Sequence, residues 1–129
     1  MQMLKVTAGI VRKEGLILLA RRKKGDALEG CWEFPGGKVK EGESPAECLV
    51  RELMEELNIR VQVREHCMDN IHHYPEKTVC LMAWFADYLG GELSLSDHDR
   101  VEWVHPSRLM DYKLAPADIP IAQRLHKEG

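Results

Sequence analysis

The amino-acid sequence lacks several features that would each assign it to a class of protein. Its longest apolar stretch, around residues 78–86, is far shorter than the roughly 20 residues that a transmembrane helix needs. Its formal charge of −3 is opposite to the basic excess on which non-specific nucleic-acid binding depends. Its four cysteines form no C-x-x-C pair and no zinc-like spacing with histidine, which favours free thiols in a reducing compartment. We therefore expect neither a membrane partner nor a nucleic-acid partner.

Nothing in the pattern divides the chain. No repeat, low-complexity tract or linker interrupts its 129 residues, and a hydrophobic content of 44% is enough for one buried core. We predict a single domain over residues 1–129. No charged-then-apolar leader follows Met1, so we expect a cytoplasmic location. The sequence leaves the oligomeric state open between a monomer and a small homodimer.

One segment carries the start signals and the periodicity of an amphipathic helix. Ser44, Pro45 and Glu47 match an N-cap, a first helical position and a capping-box partner, so the helix is predicted to begin at about Pro45. Apolar residues at helical spacing then predict one stripe that faces a core. The members of this stripe are Ala46, Leu49, Val50, Leu53 and Leu57.

The same helix carries glutamates on another face. Glu52, Glu55 and Glu56 are related by i+3 and i+4, so their carboxylates lie close together. Like charges at this spacing oppose helix formation by roughly 0.2 to 0.5 kcal/mol, and a divalent cation would reverse that sign. Mg²⁺ and Mn²⁺ prefer oxygen ligands and share their coordination shell with water and phosphate, so a few carboxylates suffice. A solvated acidic face is the alternative interpretation.

The helix belongs to a longer pattern. Upstream of it, Pro35, Gly36 and Gly37 form a tight turn, in which glycine lets the backbone approach another segment closely. Over residues 37–59, GKVKEGESPAECLVRELMEELNI resembles the Nudix box, G-x5-E-x7-R-E-U-x-E-E-x-G-U with U aliphatic. The matching positions are Gly37, Glu43, Arg51, Glu52, Leu53, Glu55, Glu56 and Ile59.

One position departs from the box, because Asn58 stands where the last glycine is expected. That glycine ends the helix in a left-handed conformation, for which asparagine is the next most suitable residue. The resemblance therefore still implies the Nudix fold. This fold is an α/β arrangement in which a mixed β-sheet is sandwiched between helices and the box forms a loop, a helix and a loop.

Residue patterns predict the remaining elements. Strands over residues 4–12 and 16–21 are expected to form a hairpin, because both are rich in aliphatic residues and flank a turn signal. Strands over 61–73 and 77–88 are expected to form a second antiparallel pair. The other predicted elements are a short strand at 100–104, one or two helical turns over 106–111, and a terminal helix over 119–127 with Ile121, Ala122 and Leu125 inward.

Over nearly the whole chain, including residues 32–38 and 114–118, the sequence is similar to the MutT-type and CTP pyrophosphohydrolase branches of the family. The resemblance implies release of a nucleoside monophosphate and pyrophosphate by water attack, with Mg²⁺ or Mn²⁺ as cofactor. The catalytic and metal-binding residues it implies are Glu52, Glu55, Glu56 and Asp97, with the Gly36 carbonyl as a further metal ligand. Whether Glu52 or Asp97 is the general base stays open. A solvated acidic turn is the alternative for Asp97.

The resemblance also assigns roles around the metal. Arg22 and Lys38 match positions near the phosphates, with plain surface charge as the alternative. Gly37, Glu43 and Arg51 are expected to support the box, the last two as a buried ion pair. The implied base-recognition residues are Phe34, Tyr74, Lys77 and Asp118.

The identity of the base depends most on Asp118. The MutT enzyme that prefers 8-oxoguanine has asparagine at this position, which offers a donor and an acceptor, whereas an ionised aspartate only accepts. Asp118 would suit the exocyclic amine of cytosine or the N–H groups of a guanine, so the sequence leaves this choice open. His72 and His73 are not expected to share a metal, because adjacent strand residues point to opposite faces.

Two classes of function follow. The first is a Mg²⁺-dependent pyrophosphohydrolase of oxidised or modified nucleoside triphosphates, such as 8-oxo-dGTP or derivatives of (d)CTP. The second is a non-catalytic nucleotide-binding sensor with the same fold, and hydrolysis of another nucleoside diphosphate derivative is a further alternative. The complete set of glutamates favours the enzyme.

Overall fold

The computed structural model describes residues 3–128, which contain one mixed six-stranded sheet and two α-helices. The strands are β1 (Met3–Lys13), β2 (Leu16–Arg22), β3 (Trp32–Glu33), β4 (Ile59–His73), β5 (Thr78–Gly91) and β6 (His98–Val104). The α-helices are α1 (Pro45–Leu57) and α2 (Ile119–Glu128), and two short 3₁₀ helices cover Pro106–Asp111 and Pro116–Asp118. No helix in this part of the chain is long and apolar enough to cross a membrane.

The sheet has the order β3-β2-β1-β5-β4, with β6 paired to β2 as well. The predicted hairpin of β1 and β2 is confirmed, and Glu14 and Gly15 turn it with φ angles of 51° and 80°. The antiparallel pair of β4 and β5 is also confirmed. Two features were not predicted: β1 and β5 pair in parallel, and β3 is a strand of only two residues.

Side chains of successive strand residues alternate between two cores, one on each face of the sheet. Ile17 and Leu19 pack with Leu109 and with the inward residues of α2, which are Ile121, Ala122 and Leu125 as predicted. Leu18, between them in the chain, packs instead with Leu49, Leu53 and Leu57 of α1. The sheet is thus covered by helices on both faces, and the predicted mixed sandwich is confirmed.

The ends of α1 follow from its own residues. The Glu47 N–H donates to the Ser44 hydroxyl at 3.1 Å, and the Ser44 N–H donates to the Glu47 carboxylate at 2.9 Å, which completes the predicted capping box. At the other end Asn58 adopts the left-handed conformation with φ of 57°, as expected for the residue that replaces the glycine.

The predicted apolar stripe of α1 is wrong at one position. Val50 is 43% exposed, whereas Cys48, Leu49, Leu53 and Leu57 are the buried residues of the helix. The buried leucines are four residues apart and form the row that meets the sheet. Val50 lies one residue beyond this row, so it faces outward over a shallow surface depression that Val63 also lines.

Candidate active site

The turn that precedes α1 is fastened to β1 by backbone hydrogen bonds. The Gly9 N–H donates to the Pro35 carbonyl at 2.7 Å, and the Thr7 N–H donates to the Gly37 carbonyl at 2.8 Å. Because alternate carbonyls of an extended segment point to opposite sides, the Gly36 carbonyl between them points away from β1.

Gly37 makes room for a glutamate of the box. A β-carbon at this position would lie 2.5 Å from Oε2 and 2.7 Å from Cγ of Glu52, well inside van der Waals contact. Any larger residue would push the Glu52 carboxylate aside. Gly37 therefore leaves the space that the Glu52 side chain occupies, and this is the physical reason for expecting it to support the box.

Arg51 and Glu43 form the predicted ion pair. Arg51 Nε donates to Glu43 Oε2 at 2.7 Å and Nη2 donates to Oε1 at 2.9 Å, a bidentate arrangement. These bonds and the Lys40 N–H lower the pKa of Glu43 to about 2, and the same pair raises the pKa of Arg51. The pair is partly exposed rather than buried, with side chains 21% and 14% exposed, because it closes the loop at the surface.

Arg51 also holds two of the clustered glutamates. Its Nη1 donates to Glu52 Oε1 at 2.8 Å and to Glu55 Oε2 at 3.1 Å. The repulsion expected between these carboxylates is therefore offset by a guanidinium in this structure. Glu55 remains 55% exposed, and Glu52 is largely covered at 15%.

Glu56 lies in a different environment from its neighbours. Its Oε2 is buried and accepts no hydrogen bond from the residues described. Burial raises the pKa of Glu56 to about 9, and the nearby charge of Glu52 and a hydrogen bond with Asp97 add to the effect. A covered carboxyl oxygen that lacks a donor is a position that a cation can stabilise.

The donor chemistry of this region fits a divalent cation. Glu52 and Asp97 both lie near enough to Glu56 to raise its pKa, so three carboxyl groups occupy this region, and oxygen is the ligand atom that Mg²⁺ prefers. Within residues 3–128, however, no three acidic, histidine or cysteine side chains already converge on one point closely enough to hold an ion. The contacts of Arg51 explain this, because they direct Glu52 and Glu55 toward the guanidinium.

The segment that precedes β6 brings Asp97 to the end of α1. The Ser96 hydroxyl donates to the Glu56 carbonyl at 3.3 Å, and Lys23 Nζ donates to the Ser96 carbonyl at 2.8 Å. Asp97 itself is exposed beside Glu56, whereas Asp99 pairs with Arg21 at 2.7 Å. Asp97 is therefore the acidic residue of this segment that lies with the box.

A second group of polar residues lies around the short strand β3. We call it the β3 cluster: Arg22, Glu33, His98 and Asp118. Glu33 Oε1 accepts from Arg22 Nη2 at 2.8 Å, and Glu33 Oε2 lies 2.8 Å from His98 Nε2. Arg22, predicted to face phosphate, also pairs with Asp26 at 3.1 Å, so its guanidinium already has two carboxylate partners.

Asp118 is buried in this cluster at 5% exposure. Its Oδ2 accepts the Phe34 N–H at 2.9 Å. Burial raises the pKa of Asp118 well above its usual value, and the charge of Glu33 raises it further. The ring of Phe34 is 2% exposed and packs in the core, so it offers no face for stacking, and its N–H is what it contributes.

Two other predicted base-recognition residues lie near Asp118. The Tyr74 hydroxyl accepts the Ala117 N–H at 3.4 Å, one residue from Asp118 in the chain. The Lys77 ammonium is exposed and lies 6.0 Å from the centroid of the Tyr74 ring. Lys38 is also exposed, and its carbonyl accepts from Arg51 at 3.2 Å.

Sequence reasoning did not single out Glu33 or His98. Glu33 lies among apolar residues in the segment 32–38, and an acidic residue in such a strand is the signal that was available. His98 had no such signal, because it stands in an acidic loop sequence and its burial depends on the pairing of β6 with β2.

The fold and the site together define a class of protein. A mixed sheet between helices carries clustered carboxylates at one helix, with basic residues and a buried polar cluster beside them, as suits hydrolysis of phosphoric anhydrides. The NUDIX domain matches residues 2–125, and the chain belongs to the Nudix family of hydrolases.

Named relatives agree with this family. The chain is 39% identical to the CTP pyrophosphohydrolase of Escherichia coli over 123 residues, which cover 95% of this chain and 91% of that one. It is 30% identical to the 8-oxo-dGTP diphosphatase of the same organism, over 98% of this chain and 99% of that one. The crystal structure of a MutT protein from Methanosarcina mazei superposes with a TM-score of 0.87 at 26% identity, over 98% and 94% of the two chains.

Proposed function

We propose that this protein is a Mg²⁺-dependent pyrophosphohydrolase that converts modified or oxidised nucleoside triphosphates to nucleoside monophosphates and pyrophosphate. The observation that carries the proposal is the half-buried Glu56 beside Glu52 and Asp97, with a covered Oε2 that accepts no hydrogen bond from the described residues. Relatives named as CTP pyrophosphohydrolase and 8-oxo-dGTP diphosphatase support the substrate class.

The ion would be held by the carboxylates of Glu52, Glu55, Glu56 and Asp97 and by the Gly36 carbonyl. When bound, Mg²⁺ or Mn²⁺ neutralises phosphate charge and lowers the pKa of a water molecule. Glu52 and Glu55 would leave Arg51 to take part, while Glu43 keeps the guanidinium in place through its two hydrogen bonds. Either Glu52 or Asp97 takes the proton of the attacking water.

Two basic residues complete the phosphate side. Lys38 is exposed, which leaves its ammonium accessible to a phosphate. Arg22 is 34% exposed, and its guanidinium pairs with Glu33 and Asp26. We therefore assign it two roles: it offsets the charge of these carboxylates, and it contacts phosphate. We expect removal of Lys38 to weaken binding of the triphosphate more than it affects the choice of base.

The base would be read near Asp118, Tyr74 and Lys77. Asp118 Oδ2 accepts the Phe34 N–H at 2.9 Å, which would leave Oδ1 for a base. An aspartate carboxylate would only accept hydrogen bonds from the base, whereas the asparagine of 8-oxoguanine-preferring enzymes offers a donor and an acceptor. Loss of one buried hydrogen bond costs about 1–3 kcal/mol, which is enough to choose between bases.

A panel of nucleotides tests the proposal. Purified protein is assayed for pyrophosphate release from dCTP, 5-methyl-dCTP, dGTP and 8-oxo-dGTP, with Mg²⁺ and with chelator. We expect turnover of at least one modified nucleotide that disappears with the chelator. Binding without turnover of any nucleotide would instead favour the sensor, and turnover only of nucleoside diphosphate derivatives would favour the remaining alternative.

Every residue of the proposed site comes from one chain, so in this proposal the protein works as a monomer or as a small homodimer. We assign it to the cytoplasm, where nucleoside triphosphates are present. Its cysteines are unpaired, which is consistent with a reducing compartment.

A further inference from the structure

His98 is a buried histidine that the proposed reaction does not yet use. Its side chain is 2% exposed, and its Nε2 lies 2.8 Å from Glu33 Oε2. A carboxylate only accepts hydrogen bonds, so Nε2 carries the proton and donates it. The other ring nitrogen, Nδ1, is buried without a hydrogen-bond partner among the described residues, so the contact with Glu33 is the one that orients the ring.

The position of His98 depends on a local irregularity of the sheet. His98 pairs with Arg22 across β2 and β6, where the register shifts between Arg21 and Arg22. Such a bulge changes the direction in which a side chain points. Here it lets two neighbouring strands deliver donors to the same carboxylate, because Arg22 donates to Glu33 Oε1 at 2.8 Å while His98 contacts Oε2.

Glu33 is thereby held at both of its oxygen atoms. With one oxygen on Arg22 and the other on His98, the carboxylate has little freedom to rotate, and it is 12% exposed. The N–H of the next residue, Phe34, donates to Asp118 Oδ2 at 2.9 Å, and the charge of Glu33 raises the pKa of both Asp118 and Glu56. The charge of Glu33 thus reaches both the proposed base-reading residue and one of the proposed metal ligands.

We propose that His98 is a specificity-positioning residue, which fixes the Glu33 carboxylate beside Asp118 and so determines which edge of a nucleobase the pocket accepts. The proposal rests on the proposed nucleotide hydrolysis and concerns the choice of base within it. Two adjacent residues of one short segment then have different roles. Asp97 would bind the metal, and His98 would position the residues that recognise the base.

Two substitutions separate positioning from packing. His98→Leu removes the donor and keeps an apolar side chain, whereas His98→Gln keeps an N–H at about the same reach. His66→Leu is the matched control, because His66 also contacts a carboxylate at 2.7 Å, that of Asp69, but lies 42% exposed away from the β3 cluster. For each variant, kcat and KM are measured on dCTP, 5-methyl-dCTP, dGTP and 8-oxo-dGTP at several Mg²⁺ concentrations.

We expect His98→Leu to change the ratio of kcat/KM between cytosine and guanine substrates by about tenfold, since a buried hydrogen bond is lost. The change should appear mainly in KM, with the Mg²⁺ concentration for half-maximal activity unchanged. His98→Gln should restore most of the preference, and His66→Leu should keep the wild-type ratio. A ratio that stays constant in His98→Leu, or a loss confined to kcat or to the Mg²⁺ requirement, would overturn the proposal.

Two further measurements keep the test decisive. If His98→Leu does not fold, as thermal unfolding would reveal, Glu33→Gln replaces it and should shift the same ratio. Equilibrium binding of α,β-methylene analogues of the cytosine and guanine nucleotides gives a readout without turnover. Wild-type protein that binds these analogues selectively but hydrolyses nothing would refute the proposed function alone, whereas selectivity equal in wild type and His98→Leu would refute the role of His98.

Discussion

Substitution of Gly37 by alanine tests whether the loop must leave space for the Glu52 side chain of α1. The added β-carbon would lie 2.5 Å from Glu52 Oε2, so the carboxylate must retreat by about 1 Å to reach ordinary contact distance. A misplacement of about 1 Å in a catalytic constellation can cost about 100-fold in rate. We therefore expect kcat/KM of Gly37→Ala to fall by about two orders of magnitude.

The stability of Gly37→Ala should change much less than its activity. The φ angle of Gly37 is not in the left-handed region, and overpacking by one methyl group costs about 1–3 kcal/mol. Pyrophosphate release with saturating Mg²⁺ and chemical denaturation are measured side by side. Gly15→Ala is the control, because φ of 80° strains an alanine there while no atom lies within 4 Å of the new β-carbon.

The control should lose stability and keep its activity. If Gly37→Ala retains the kcat/KM of the wild type, the Glu52 carboxylate is not needed where this structure places it. If both variants lose activity in proportion to their stability, the effect of Gly37 is not specific to Glu52. Either result would refute the reasoning.

Three further predictions concern the carboxyl groups. Glu55→Gln and Glu56→Gln should each abolish Mg²⁺-dependent pyrophosphate release, because each removes a charged ligand, while circular dichroism shows an intact fold. Glu43→Gln should weaken the dependence of stability on acid pH. The pair with Arg51 lowers the pKa of Glu43 from 4.5 to about 2, so its stabilisation is present above the unfolded value and is lost as pH falls from 4.5 towards 2. Urea denaturation at a series of pH values measures this. Asp118→Asn should shift preference toward 8-oxo-dGTP in the nucleotide panel and leave the Mg²⁺ requirement unchanged.

Each of these predictions has a result that contradicts it. Normal turnover in both glutamine variants of Glu55 and Glu56 would mean that the metal site is misplaced. Parallel stability curves for wild type and Glu43→Gln below pH 5 would show that the pair does not contribute through the charge of Glu43. Unchanged relative rates on 8-oxo-dGTP, dCTP and 5-methyl-dCTP would mean that Asp118 does not read the base.

Local signals predicted α1 and its surroundings well. Ser44, Glu47 and Asn58 act on backbone groups within a few residues of themselves, so both ends of the helix could be read from the chain. The hairpins were predicted for the same reason, since turn residues and alternating apolar residues are local. The pairing of Glu43 with Arg51 came from the resemblance to the Nudix box, and the structure contains this pair, although it is partly exposed rather than buried.

These local signals could not predict which distant segments pair with one another. The parallel pairing of β1 with β5 joins segments more than 70 residues apart, and β3 is too short to show any periodicity. The exposure of Val50 depends on where the sheet lies against α1, which helical spacing alone does not determine. The burial of the Phe34 ring likewise depends on which of the two cores receives its side chain, and only the folded sheet determines that.

The sequence by itself determined the family, the acidic helix and the class of reaction, because the box residues lie within one stretch of chain and their spacing is set by helical geometry. Only the tertiary structure decided the environment of each carboxyl group. Partial burial beside Asp97 distinguishes Glu56 from Glu55, and residues of β2 and β6 hold the carboxylate of Glu33, whose neighbour Phe34 bonds Asp118. A pKa depends on burial and on charges from distant segments, and these are properties of the folded chain alone.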